Sequence, residues 1–180
     1  MEKLQKFKPV LASCSQGQKR RGVETGSSYV YNNLIKDICE GQVYQIDHTQ
    51  FDTQVGYQRL YDTCKRLHYP LTIGGDHSVA SSSLMASNQK YRDMHVIWID
   101  AHPDIHTYKS TVSGNKHGTP LSVCVGLEKM HWTSRMTLRN LPFANLTYVG
   151  IRDIDDFEAE TIAEKKIRHL TPTQAVAFIK

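Results

Sequence analysis

Short apolar runs alternate with amphipathic stretches along this chain. Pro9-Val10-Leu11-Ala12, Val43-Tyr44-Gln45-Ile46, Leu71-Thr72-Ile73, Val96-Ile97-Trp98-Ile99, Leu146-Thr147-Tyr148-Val149 and Ile167-Arg168-His169-Leu170 read as short strands. The segments between them have helical character. Ser27 is placed to cap a helix that runs through Val30 and Leu34 to about Ile38, with Gly41 to end it. Val55, Leu60 and Cys64 recur at near-helical spacing, with Leu67 close to the same stripe, which predicts an amphipathic helix over 53–66. Val79 to Lys90 reads as the next helix, with Asp76 as its cap, and Pro120 to Leu127 and Glu158 to Glu164 read as two more. Thr171-Pro172 opens a last one, since proline suits a first helical position. The segments 13–26 and 105–118 are polar, carry glycines and read as loops. Strands alternating with helices predict a single α/β domain built on a parallel sheet with crossover helices.

The stretch His95 to Asp104, HVIWIDAHPD, stands out in this pattern. Its β-branched and aromatic run predicts a fully buried parallel strand. Alternation along that strand would put Asp100, His102 and Asp104 on one face, and Pro103, with no N–H to give, marks the strand's end. Two carboxylates and an imidazole then stand at the carboxyl end of a buried strand, where open α/β sheets place ligands. The cluster is compatible with a solvated turn or with a divalent metal site.

Composition narrows the choice. Apolar residues make up 39% of the 180, charged residues 22%, and the net charge is +4. The basic residues are scattered apart from Lys19-Arg20-Arg21, a run too short to argue for nucleic-acid binding. No apolar run approaches the ~18 residues of a membrane span. Cys14, Cys39, Cys64 and Cys124 form no C-x-x-C pair, and their wide spacing predicts reduced thiols in a cytoplasmic protein.

Three further segments carry polar chemistry. In Gly74-Gly75-Asp76-His77-Ser78 the two glycines permit a sharp turn and a close backbone approach, which puts His77 at the carboxyl end of its strand; a helix cap beside a surface histidine is the plainer reading. Ser113-Gly114-Asn115-Lys116-His117-Gly118 reads by itself as a flexible loop, and Arg152-Asp153-Ile154-Asp155-Asp156 as solvated charge past a strand. Every one of these segments follows a predicted strand or lies in the loop after one, so all are candidates for the same edge of the sheet.

Taken together, GGDHS at 74–78, DAHPD at 100–104, SGNKHG at 113–118 and the Gly150 to Asp155 segment resemble the ureohydrolase family, its arginase branch in particular. Ser15 to Glu24 is similar to the family's first loop, so the resemblance covers nearly the whole chain. It implies a three-layer α/β/α fold around an eight-stranded parallel sheet in the order 2-1-3-8-7-4-5-6. It also implies a pair of Mn²⁺ ions held in part by His77, Asp100, His102 and Asp104, and hydrolysis of L-arginine to L-ornithine and urea. Hard oxygens and imidazoles suit Mn²⁺. By the same resemblance His117 matches the proton-shuttle position. Thr111, Ser113 and Asn115 match positions that bind the substrate's carboxylate, and Asp155, with Asp153 beside it, a position for its α-amino group.

Two departures follow. His106 stands where arginases usually carry an asparagine that helps bind the α-carboxylate. The family's second metal motif, D-x-D-x-x-D-P, is expected shortly past Lys180, so the domain is expected to be truncated before its two central strands. Two Mn²⁺ ions need on the order of ten to twelve bonds, of which four side chains give about six. Impaired activity, poor stability and association through unpaired strand edges are therefore expected. The rival expectation is a non-catalytic relic that binds metal weakly or partners a full-length homologue. A nucleotide-binding domain is the weaker alternative, because no G-x-G-x-x-G or P-loop follows the first strand. A small guanidino substrate and a homo-oligomer are the partners implied.

Overall fold

The computed structural model describes residues 6–39, 41–47, 53–134 and 137–179. Strands β1 (Lys8–Ser13), β2 (Tyr44–Asp47) and β3 (Pro70–Gly74) form a parallel sheet in the order β2-β1-β3. Strands β4 (Val96–Ile99), β5 (Leu146–Val149) and β6 (Arg168–Leu170) form a second, in the order β4-β5-β6. Val10 pairs with both Tyr44 and Thr72, and Tyr148 with both Trp98 and His169. These blocks reproduce the 2-1-3 and 4-5-6 segments of the expected order. Among the described residues β3 and β4 are not hydrogen-bonded to each other, and each is an edge of its own sheet.

Helices join the two sheets into one body. Helix α2 (Thr53–Arg66) and helix α3 (Ala80–Lys90) cover β1 with Tyr57, Leu60, Tyr61, Met85 and Ala86. Helix α4 (Pro120–Val125) belongs to both cores: Val123 and Cys124 enter the first, Leu121 and Val125 the second, around Trp98, Leu146 and Tyr148. Leu84 of α3 also touches both. Helix α1 (Gly26–Val30) lies against β1 and β3. Helix α5 (Asp156–Glu164) packs on the second core through Ile162, and helix α6 (Pro172–Ile179) follows β6. The parallel α/β class and its helical crossovers are thus as the pattern predicts.

Several local expectations differ. The buried stripe of α2 is Tyr57, Leu60, Tyr61 and Cys64, while Val55 is exposed. The tyrosines supply the missing i, i+3, i+4, i+7 positions because each has a specific contact: Tyr57 Oη lies 2.5 Å from Ser78 Oγ, and the Tyr61 ring lies 5.5 Å from that of Trp132. Ser27 is not a cap. It is buried one residue inside α1, where its hydroxyl meets Ser13 Oγ and the Glu24 carbonyl. The helix then widens into π-type turns through Ile35, and Leu34 is exposed. Helix α5 starts two residues before the predicted Glu158, because Asp155 rather than a later residue caps it. Strand β4 is not fully buried: Val96 and Trp98 face the core, but Ile97 is 43% and Ile99 75% exposed. One face of β4 is covered by α4 and its neighbours, and the other is open among the described residues.

Candidate active site

The site is assembled where β1, β3, β4 and β5 end. After β3 the chain turns through Gly75, whose N–H donates to the Ala12 carbonyl at 3.0 Å. Gly75 lies so close to the end of β1 that a Cβ there would collide with the carbonyl oxygen of Cys14. Asp76 follows and caps the turn, accepting the Ser78 N–H at 2.9 Å and the Gly17 N–H at 2.8 Å. It also accepts the Ser78 hydroxyl. This anchors the 15–22 loop, and the Gly17 carbonyl in turn accepts the His117 N–H at 2.9 Å. His77 is left projecting from the turn, its ring stacked on Trp98 at a centroid distance of 4.7 Å.

Past β4 the alternation expected for 100, 102 and 104 does not hold, because the strand stops at Ile99 and the backbone turns. The Asp100 carboxylate accepts the His102 N–H at 3.0 Å. Asp104 takes a left-handed backbone, φ 49°, a conformation that costs a non-glycine residue of order 1–3 kcal/mol unless its surroundings hold it. Those surroundings are present: Tyr148 Oη donates to the Pro103 carbonyl at 3.0 Å, and the Leu121 N–H donates to the Asp104 carbonyl at 3.1 Å. The Ala101 carbonyl accepts the N–H groups of Arg152 and Asp153 at 2.9 and 3.0 Å, which ties the segment after β5 to the same turn.

The result is a pocket of about 300 Å³ lined by the ends of these segments, including Ser113, His117 and Gly118. Within it His77 Nδ1 lies 2.6 Å from Asp104 Oδ2 and 3.4 Å from Asp100 Oδ2. Donor atoms of these three residues all lie within 4.8 Å of one another, a spacing that could hold a metal ion. His102 is turned aside: its Nε2 lies 3.2 Å from Asp153 Oδ2 and its Nδ1 3.6 Å from Asp100 Oδ1. A second group joins His106 Nε2 to Asp155 Oδ2 at 2.6 Å and to Glu158 Oε1 at 4.0 Å. Ser113 and His117 reach the pocket wall; Thr111 and Asn115 are tied to Ser113 Oγ, at 3.3 Å from the Thr111 hydroxyl and 3.2 Å from the Asn115 N–H.

Electrostatics mark both groups. Burial works to lower the His77 pKa, but the hydrogen bond and charge of Asp104, with Asp100 and Asp76 behind it, outweigh that and raise it above 6.5. Burial raises the Glu158 carboxyl above its usual range, and the opposing pull of His106 and the Ile105 N–H does not cancel it. The four cysteines are free and buried; burial raises the thiol pKa of Cys14, Cys64 and Cys124, which keeps them un-ionised.

Glu158 lines the pocket although the sequence pattern marks it only as a helix start. Its signal is the Asp155-x-x-Glu158 spacing, which places a capping carboxylate and a first-turn carboxylate at the start of one helix. Trp98 belongs to the second core, as its apolar strand predicts, and its indole also carries His77.

The ends of parallel strands from the two sheets gather a histidine and two aspartates into one polar pocket of an α/β protein, at a spacing that could hold a cation. Residues 12–177 match the Arginase family model, and the chain belongs to that family. It is 37% identical over 201 residues to arginase of Saccharomyces cerevisiae, covering 86% of this chain and 59% of the yeast protein. It is 38% identical over 157 residues to arginase of Plasmodium falciparum, covering 80% of this chain and 38% of that one. The crystal structure of an arginase from Bacillus subtilis superposes with a TM-score of 0.78 at 30% identity, covering 92% of this chain and 62% of its own. The Entamoeba histolytica arginase in complex with L-ornithine superposes with a TM-score of 0.76 at 27% identity, covering 92% and 64% respectively. The chain thus spans about 38–59% of the length of these two curated relatives. No helix among the described residues is long and apolar enough to cross a membrane.

Proposed function

We propose that the pocket is the active site of an arginase-type, manganese-dependent hydrolase of guanidino substrates, with L-arginine as the substrate that family membership suggests. The observation that carries this reading is the convergence of His77, Asp100 and Asp104 donor atoms in one pocket with His117. Nitrogen and carboxylate oxygen donors fit Mn²⁺, and two of the three are already aimed by other contacts, Asp104 by its left-handed backbone and His77 by Trp98. In this reading His102 joins them by leaving Asp153. Bound metal would supply Lewis acidity that lowers the pKa of water and polarises the guanidinium group.

The chain's own residues supply the rest. Trp98 holds the His77 imidazole in one orientation. His117, fixed through its backbone to Gly17, passes a proton between solvent and the departing amine. Thr111, Ser113 and Asn115 offer donors to a substrate carboxylate, and His106, Asp153, Asp155 and Glu158 line the part of the pocket that receives the rest of the molecule. Four side-chain ligands leave a two-ion site short of its ten to twelve bonds, so turnover by these 180 residues alone is expected to fall below roughly 1 s⁻¹. The reduced state of four buried thiols supports a cytoplasmic setting.

Calorimetric titration with Mn²⁺ tests the reading. Asp104→Asn and His102→Asn are each expected to weaken binding about tenfold or more, the usual cost of disturbing a metal's immediate surroundings. Unchanged affinity in both variants rejects the site.

A further inference from the structure

A second cavity lies apart from the candidate active site. It measures about 380 Å³, and its lining includes Gln18, Lys19, Arg20, Arg21 and Glu24. The loop that forms it is held at three points. The Asp76 carboxylate accepts the Gly17 N–H at 2.8 Å. Gln18 Oε1 accepts the Arg20 N–H at 2.8 Å, and the Gln18 side-chain amide donates back to the Arg20 carbonyl. Glu24 Oε2 accepts the Gly22 N–H at 2.7 Å. Lys19, Arg20 and Arg21 therefore extend from a fixed backbone, which reduces the ordering cost of binding. Three cations stand against one carboxylate in this lining, and among the described residues no ion pair involves Lys19, Arg20 or Arg21.

Adjacent like charges repel, and an anion placed among them relieves that repulsion. Guanidinium forks match the paired oxygens of a phosphate, and a lysine ammonium adds a point charge beside them. A neighbouring cavity of about 300 Å³ shares Glu24 as a wall and lies at the carboxyl ends of β1 and β2, the edge at which parallel sheets receive ligands. Its lining combines polar Ser13, Ser28, Gln45 and Asp47 with apolar Leu11 and Ile46. The first four are partners for hydroxyl groups and the last two for carbon atoms. We propose that the 15–24 loop binds the phosphate of an organic phosphate, with the hydroxylated body of that ligand in the neighbouring cavity. The site needs no metal and is independent of what the active-site pocket turns over. It is nonetheless tied to that pocket through Gly17, whose carbonyl accepts the His117 N–H at 2.9 Å, so occupancy is felt at His117.

Ribose 5-phosphate, inorganic phosphate and ribose separate the contributions. Each is titrated calorimetrically into the full chain in EDTA, which keeps metal off the phosphate, at about 0.15 M salt, where loose surface attraction is screened. Ribose 5-phosphate is expected to bind, inorganic phosphate about tenfold more weakly, and ribose not measurably. Arg20→Gln with Arg21→Gln is expected to weaken ribose 5-phosphate about tenfold or more, the scale of lost charge-assisted hydrogen bonds. Both positions are exposed, so the variant should keep the parent's thermal unfolding curve. In NMR spectra the Gly17 and His117 amides should shift as ribose 5-phosphate is added. Failure of both phosphates to bind, or equal binding by the folded variant, overturns the site. Inorganic phosphate binding as tightly as ribose 5-phosphate overturns the part given to the neighbouring cavity, and a His117 amide that does not move overturns the tie to the active-site pocket.

Discussion

Asp76→Asn is a severe test of how the turn after β3 is built. Asp76 is 6% exposed and faces three donors: the Gly17 N–H, the Ser78 N–H and the Ser78 hydroxyl. The substitution keeps the shape but exchanges one acceptor oxygen for an NH₂ donor. Gly17 N–H bonds one carboxylate oxygen and Ser78 the other, so whichever is replaced, one backbone N–H is left against another donor in a buried place. Losing a charged hydrogen bond costs about 1.5–3 kcal/mol, and an unsatisfied buried donor about 1–3 kcal/mol; relief of the buried charge offsets part of this, leaving a loss of roughly 2–4 kcal/mol. For a chain of this size that is a drop of roughly 5–15 °C in Tm. Urea denaturation gives the free energy. Hydrogen exchange at the Gly17 and His117 amides gives the mechanism, because the Gly17 carbonyl accepts the His117 N–H and both should exchange faster. A variant within about 0.5 kcal/mol of the parent, the range of an ordinary surface change, would show that Asp76 does not hold this turn together.

Three more outcomes are expected. Without metal, stability should fall with rising pH over a window that starts at about pH 6.5: His77 has a folded pKa above its ordinary 6.5, so its stabilising contribution is complete below that value and is lost as pH passes the raised one. A urea midpoint in EDTA that climbs across this window contradicts the assignment. The open face of β4, with Ile97 and Ile99 exposed beside a strand edge that is unpaired among the described residues, should make copies of the chain associate, and Ile97→Lys with Ile99→Glu should reduce that association in sedimentation velocity. An unchanged sedimentation profile argues against this face as the contact. Urea release from L-arginine by the 180 residues should stay below roughly 1 s⁻¹, and release above that rate that His117→Ala abolishes would show the metal-ligand count to be wrong.

Much of this was legible in the sequence because the governing signals are local. Strand β5 lies where Leu146 to Val149 predicts it, and α2 spans the predicted 53–66. Asp76 caps its turn as a short carboxylate before a helical segment should. What the pattern missed depends on tertiary contacts. Tyr57 and Tyr61 do not read as core by hydropathy; Ser78 and Trp132 make them so. Ser27 looks like a cap, but the nearness of Ser13 gives its hydroxyl another partner. Period-two alternation put Asp100, His102 and Asp104 on one face, whereas the chain leaves the strand at Ile99 and Asp104 enters the left-handed region, a turn stabilised by Tyr148 from a strand some forty residues on. Strand β4 reads as buried on both faces because an apolar run reports what could be covered, not what covers it.

The central claim is that His77, Asp100, Asp104 and His102 hold manganese in the pocket shared with His117. Anomalous diffraction at the manganese edge, from crystals of the chain grown with Mn²⁺, addresses it directly. The account predicts a peak within coordination distance, about 2.0–2.4 Å, of His77, Asp100 and Asp104 donors, with His102 swung off Asp153 toward it. Manganese density confined to other sites, with His77 still paired to Asp104 and His102 to Asp153, would contradict it.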